Sequence, residues 1–190
     1  VDDRKDLPVI SRRHAIAAGG LTMLLAACAN PARVLPEDGT IDLVSLLRGK
    51  PEHSRFMALL DGSGLASRIG RTNGPVTLFV PTNENMARLP AATLALIDRP
   101  AASLDAAQRA QLVALVQANA AFGLLRLQDI QPRNGRVVTW DRARLTVAPT
   151  GPRTATITRQ GSNSSVTITR ADVLAADGVF HITSGLILPG

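Results

Sequence analysis

The sequence has no tyrosine, one tryptophan and four phenylalanines, so aromatic residues make up only 3% of its 190 positions. That scarcity leaves no row of stacking rings of the kind a single-strand nucleic-acid binder lays along its groove. One cysteine, Cys28, excludes an intrachain disulfide framework and a thiolate metal site. Histidine is confined to positions 14, 53 and 181, and no H-E-x-x-H pair occurs. Phosphate loops of the G-x-x-x-x-G-K-[ST] and G-x-G-x-x-G types are missing as well. Lysine is nearly absent: Lys5 and Lys50 aside, the 21 basic residues are arginines, set against 15 acidic ones for a formal charge of +6. What remains is 45% hydrophobic and 19% charged, a balance that suits one compact domain with a modest tail and is too apolar for a disordered chain.

The first residues read as an export signal. Arg12-Arg13 ends a polar stretch, and Ala15 to Ala27 then runs without a charge. This run falls short of the roughly 20 apolar residues of a bilayer-spanning helix and matches the short apolar region of a secretory signal. Leu25-Ala26-Ala27-Cys28 follows and resembles the lipobox of bacterial lipoproteins. That resemblance implies acylation of the Cys28 sulfur, removal of residues 1–27 and acylation of the new amino group. The small side chains admit the peptidase, and the thiol is the nucleophile. Ser11-Arg12-Arg13 also resembles a twin-arginine signal, with Ala15 where that signal usually has Phe. The plainer alternative is a small buried helix with an inert cysteine. Ala29 in place of the Asp that retains such proteins at the inner membrane points to the outer membrane.

Beyond Cys28, residues 28–39 read as a lipidated tether, with Pro31, Pro36 and Gly39 and no periodicity. Thr40 is placed to cap a helix carrying Leu43, Leu46 and Leu47, with Gly49 as its stop. Pro51 opens a second helix bearing Phe56, Leu59 and Leu60, on which His53 falls at the surface edge. Val76 to Val80 reads as a buried strand, and Thr82 caps a short helix with Met86 and Leu89. Asp105 and Gln108 have capping-box spacing ahead of a longer helix that buries Leu112, Leu115 and Val116. From Val137 the period changes to two: Leu145 and Val147, Ala155 and Ile157, Val166 and Ile168 alternate with polar residues. Gly161-Ser162-Asn163 joins the last two of these runs as a hairpin. Helices first and strands afterwards predict an α+β fold with a mainly antiparallel sheet.

Two segments carry a family resemblance. Thr77 to Met86, with Pro81-Thr82-Asn83 at its centre, resembles the first signature of fasciclin domains. Asp177-Gly178-Val179-Phe180-His181-Ile182, followed by Leu186-Ile187-Leu188-Pro189, resembles the closing signature. Leu127-Gln128-Asp129-Ile130 sits where the family has its Leu-Thr-x-x-Asp-Leu turn. The resemblance spans residues 40–190 and implies a fasciclin-like wedge or β-sandwich with N-terminal and flanking helices. It implies an adhesion or interaction module with no cofactor. Ala118-Asn119 occupies the place of the Tyr-His pair associated with adhesion in animal members, so that partner is not carried over. Phe122 stands where a Pro is usual before Gly123.

Candidate sites are few. Pro81, Thr82, Asn83 and His181 are signature residues for which a structural duty is expected first, His181 bonding to backbone or a hydroxyl. Ser184, His181 and Asp177 are the one set from which a hydrolytic triad could be assembled, without a nucleophile elbow. Arg133, Arg136, Arg142 and Arg144, with Arg153, Arg159 and Arg170 on nearby hairpins, form a candidate basic patch for an anionic partner. An Arg-rich composition alone also explains them. The reading is a non-catalytic, lipid-anchored adhesion module of a bacterial cell envelope, meeting a protein or an anionic polysaccharide and not nucleic acid. The alternative is an envelope protein that binds a small lipid or sugar.

Overall fold

Hydrophobic spacing of three and four builds the first helices. The computed structural model describes residues 35–69 and 74–190. The export segment 1–27, Cys28 and the tether up to residue 34 lie outside the described residues. Helix α1 (Leu43–Arg48) buries Leu43, Leu46 and Leu47. A 3-10 turn (Pro51–His53) leads into α2 (Ser54–Ser63), which buries Phe56, Leu59 and Leu60. The cap of α1 is Asp42, whose carboxylate accepts from the Ser45 amide at 2.9 Å, not Thr40. The helix begins two residues later than the Thr40 reading required, and the Thr40 hydroxyl donates to Asp38 instead.

After α3 (Ala66–Ile69) the chain enters β1 (Val76–Pro81), buried along its whole length. Then follow α4 (Asn83–Met86), α5 (Ala91–Ile97), α6 (Ala106–Ala118) and β2 (Ala120–Phe122). Asp105 and Gln108 form the reciprocal capping box at the start of α6. After α7 (Leu127–Ile130) come β3 (Arg136–Val138), β4 (Arg144–Gly151), β5 (Thr154–Arg159), β6 (Ser165–Ala175) and β7 (Gly178–Thr183). Helix α5 and strand β2 have no counterpart in the sequence reading.

The seven strands form one sheet in the order β2-β1-β7-β6-β5-β4-β3. Every neighbouring pair is antiparallel except β1 and β7, which run parallel from Val76↔Gly178 to Pro81↔Thr183. The two signature segments are thus hydrogen-bonded neighbours. A bridge between Ala121 and Thr139 and a bond from the Trp140 amide to the Ala120 carbonyl at 2.8 Å join the two ends, curling the sheet toward closure. The wedge is one curled sheet rather than two stacked sheets.

Two apolar clusters fill it. Helices α1, α2 and α6 pack Leu46, Leu59 and Leu112 onto Leu78, Val80 and Phe180. Inside the curl, Phe79 meets Ile130, Leu145, Ile157 and Ile187. Strand β1 serves both clusters, which is why its sequence is continuously apolar, while β4 and β5 serve one and alternate. At Gly178 an added Cβ would lie 2.1 Å from the Val76 carbonyl oxygen, so the β1–β7 approach requires glycine. The tether reading stops at Leu35. Leu35 packs on the helical cluster, Asp38 bridges Leu174, and Glu37 pairs with both Lys50 and Arg170.

Candidate functional site

The Pro81-Thr82-Asn83 corner is where β1 turns into α4. Thr82 Oγ1 accepts from the Asn85 amide and caps α4. Asn83 Oδ1 accepts from the Arg55 amide at 2.9 Å, capping α2 from outside its own segment, and Nδ2 donates to the Pro51 carbonyl and Ser54 Oγ. Asn85 donates to the Thr183 carbonyl at the end of β7. Across the wedge, Asp177 Oδ1 accepts from the first amide of α1, Leu43, at 2.7 Å. Asn83, Asn85 and Asp177 thus bind main chain of distant elements and hold helices to sheet.

Both described histidines are fully buried. His181 Nδ1 accepts from the Asp172 amide at 3.2 Å, which fixes the proton on Nε2, and Nε2–H donates to the Leu125 carbonyl at 2.9 Å. The ring stacks on Phe79 at 5.6 Å. His53 is not at the surface edge. The 3-10 turn points it inward, where Nδ1–H donates to the Pro81 carbonyl at 3.0 Å and its ring meets Phe180 edge-on. Its Nε2 has no hydrogen-bond partner. Burial pulls both pKa values below the ordinary 6.5; the Pro81 bond resists this for His53, and the Leu125 bond and the Asp172 charge resist it for His181.

The triad does not assemble. His181 is spent on Leu125 and Asp172, Asp177 on Leu43, and Ser184 Oγ accepts from the Thr167 amide. Among the described residues no cluster of three or more His, Cys, Asp or Glu is placed to hold a metal ion. Nor is any helix among them long and apolar enough to cross a membrane.

The arginines divide into two groups. Arg159 pairs with Asp141 at 2.8 Å, Arg170 with Glu37, and Arg153 donates to the Ala171 carbonyl. Burial of Glu37 works to raise its pKa, but Lys50 and Arg170 outweigh it and hold the carboxylate below its ordinary 4.5. Arg133, Arg136, Arg142 and Arg144 are exposed, and no carboxylate lies within ion-pair distance of them among the described residues. Of these four, Arg136 and Arg144 come together. They point outward from β3 and β4 and line a groove of about 580 Å³ with Val138, Thr146, Thr158 and Gln160. The register carries this polar row onward from Arg136 through Thr146 and Thr158 to Ser165. Arg133, on the 3-10 turn after α7, and Arg142, in the β3–β4 hairpin with φ of 64°, do not line it.

A second concavity, of about 160 Å³, lies between Leu65, Arg68, Gln117, Phe122 and Trp140. Phe122 is 67% exposed, and its ring centre is 5.5 Å from that of Trp140. The indole N–H of Trp140 is buried without a partner, a condition that costs about 1–3 kcal/mol.

The family model of the fasciclin domain matches residues 51–189, which takes in the corner, the parallel β1–β7 pair and both concavities. The chain belongs to the fasciclin-domain family. Protein sll1483 of the cyanobacterium Synechocystis sp. is 25% identical over 152 residues, 80% of this chain and 76% of that one. A solved FAS1 domain pair from the insect cell adhesion molecule fasciclin I superposes with a TM-score of 0.66 at 14% identity. That match covers 79% of this chain and 51% of the other, so the chain spans about half of the pair. Fasciclin domains are typically adhesion-related, non-catalytic modules of cell surfaces. In this fasciclin domain Asn119 is a core residue: Nδ2 donates to the Leu115 and Ile187 carbonyls at 2.7 and 2.9 Å, and Oδ1 accepts from the Ile187 amide at 2.9 Å.

Proposed function

We propose that this fasciclin domain is a non-catalytic adhesion module, held at a bacterial cell envelope by lipidated Cys28, that meets an anionic polysaccharide through the Arg136–Arg144 groove. The observation that carries this reading is the pair of exposed, acid-free arginines on adjacent strands, set among hydroxyl and amide side chains that suit sugar hydroxyls. The superposition with a domain pair from an insect cell adhesion molecule supports the adhesion half of the reading. The basic signal-like segment and the Leu25-Ala26-Ala27-Cys28 sequence support the anchor. Several acyl chains hold a protein on a membrane far better than one, since each buried CH₂ contributes about 0.8 kcal/mol.

The test compares binding of dextran sulfate, an anionic polysaccharide without uronate, and of neutral dextran by the protein and by an Arg136→Gln/Arg144→Gln double variant. The expected result is dextran sulfate binding that weakens as salt rises, because exposed charges are screened over about 8 Å at physiological ionic strength, and that is lost in the double variant. Binding indifferent to salt, or unchanged in the variant, overturns the groove assignment. For the anchor, Cys28→Ser is expected to move the protein from the membrane fraction to the soluble one; unchanged fractionation with unchanged mass overturns it.

A further inference from the structure

We infer that the concavity between α3, α6, β2 and the β3–β4 hairpin is a binding site for a single hexuronate ring, with Phe122 and Trp140 as its platform and Arg68 as the group that selects the carboxylate. It shares no lining residue with the Arg136–Arg144 groove, so it neither needs that groove nor falls with it.

The geometry narrows the ligand by elimination. A volume of about 160 Å³ is well below the roughly 300 Å³ at which sites for drug-sized molecules begin, so it receives one ring-sized group. A purely apolar ligand would cover Phe122 and leave the polar side chains of Arg68 and Gln117, which line the concavity, without a partner. A small inorganic anion would answer Arg68 and leave the 67%-exposed Phe122 ring in water. A pyranose answers both demands, because its axial C–H face lies on an aromatic ring while its equatorial hydroxyls accept from N–H donors.

Backbone pairing fixes the aromatic pair. The Trp140 amide donates to the Ala120 carbonyl, and the Ala121–Thr139 bridge joins the residues immediately before the two rings. Arg68 sits on the exposed last turn of α3, and no carboxylate is within ion-pair distance of it among the described residues. A charge-assisted contact from this guanidinium to a uronate carboxylate favours the acid over the neutral hexose by about tenfold.

Trp140 is the only tryptophan and the chain has no tyrosine, so its fluorescence reports on this site directly. The experiment titrates the full-length protein with sodium D-glucuronate, D-glucose and sodium acetate at constant ionic strength. The expected result is a saturable change in Trp140 emission with glucuronate, with a Kd on the order of millimolar for a lone sugar. Glucose should bind about tenfold more weakly, and acetate should have no effect. Phe122→Ala should abolish the response, Arg68→Gln should bring glucuronate down to the level of glucose, and Arg136→Gln/Arg144→Gln should leave it unchanged. Absence of a saturable response overturns the assignment, as does acetate acting as well as glucuronate or Phe122→Ala titrating like the parent. Should Phe122→Ala lower the melting temperature, the exposed Arg68→Gln variant decides alone: equal glucuronate affinity with and without Arg68 ends the proposal.

Discussion

Replacing Asn119 with alanine removes three hydrogen bonds from a site with no access to water. Asn119 lies just past the last turn of α6, and its amide ties that turn to Ile187 in the closing segment. A net hydrogen bond contributes about 1 kcal/mol, and a buried group stripped of its partner costs about 1–3 kcal/mol. Both the N–H and the C=O of Ile187 lose their Asn119 partner, so the loss is about 3–5 kcal/mol. That is a large share of the roughly 5–15 kcal/mol that holds a typical domain folded. For a chain of this size it corresponds to a fall in Tm of about 10 °C. Urea unfolding followed by Trp140 fluorescence, with far-UV circular dichroism to check that the two transitions coincide, measures it. Asn119→Asp is the discriminating companion. Its carboxylate still accepts from Ile187 N–H but sets a negative oxygen against the Leu115 and Ile187 carbonyls. It should be at least as damaging at neutral pH and partly recover in acid, where a protonated oxygen can donate. A loss below about 1 kcal/mol for Asn119→Ala would refute the accounting.

Two further predictions follow from buried groups. His53 and His181 are held neutral, their pKa values pulled below 6.5 by burial, so below that pH the unfolded chain binds more protons than the folded one. Stability is then fully present above about pH 6.5 and falls as pH drops through the unfolded value, by at most about 1.4 kcal/mol per pH unit for each histidine. Tm flat between pH 7 and 5 would contradict this. Gly178→Ala drives a Cβ against the Val76 carbonyl inside the parallel pair and should destabilise by about 1–3 kcal/mol or more. Gly185→Ala, which meets open space, should change Tm little; equal effects from the two would show that the strand approach at Gly178 is not tight.

What could be read in the sequence depended on range. The helix faces of Phe56, Leu59 and Leu60 and the alternation of Leu145, Val147, Ala155 and Ile157 are local periodicities, and each of these residues is buried where its spacing placed it. Asp105 and Gln108 likewise formed their box because both partners lie within one turn. Thr40 and Asp42 are both good capping residues, and only the start of α1 at Leu43 chose between them. Helix α5, with the sequence AATLALI, buries Ile97 alone, so it carries no apolar stripe to read. His53 looked peripheral because its partner, the Pro81 carbonyl, is 28 residues away. The parallel β1–β7 pair joins strands at opposite ends of the domain, and the Phe122–Trp140 concavity draws on stretches from Leu65 to Trp140. No window of sequence holds either.

The signature residues are committed to the fold. Asn83, Asn85, Asp177 and His181 each place their polar atoms on the main chain of another element, and those bonds are what fix the corner and the β1–β7 pair. A side chain so committed could meet a partner only by releasing a main-chain group, at about 1–3 kcal/mol if that group stays buried. The arginines follow the same logic, since Arg159 and Arg170 are neutralised by Asp141 and Glu37. The surfaces proposed for binding draw instead on side chains without such bonds: Arg136 and Arg144 on the outer sheet, and Arg68 and Gln117 beside Phe122. Neither set belongs to the two signature segments. Two chains can therefore share the corner and the parallel pair and still bind different partners, and substitution at these two surfaces should change binding while leaving Tm nearly unmoved.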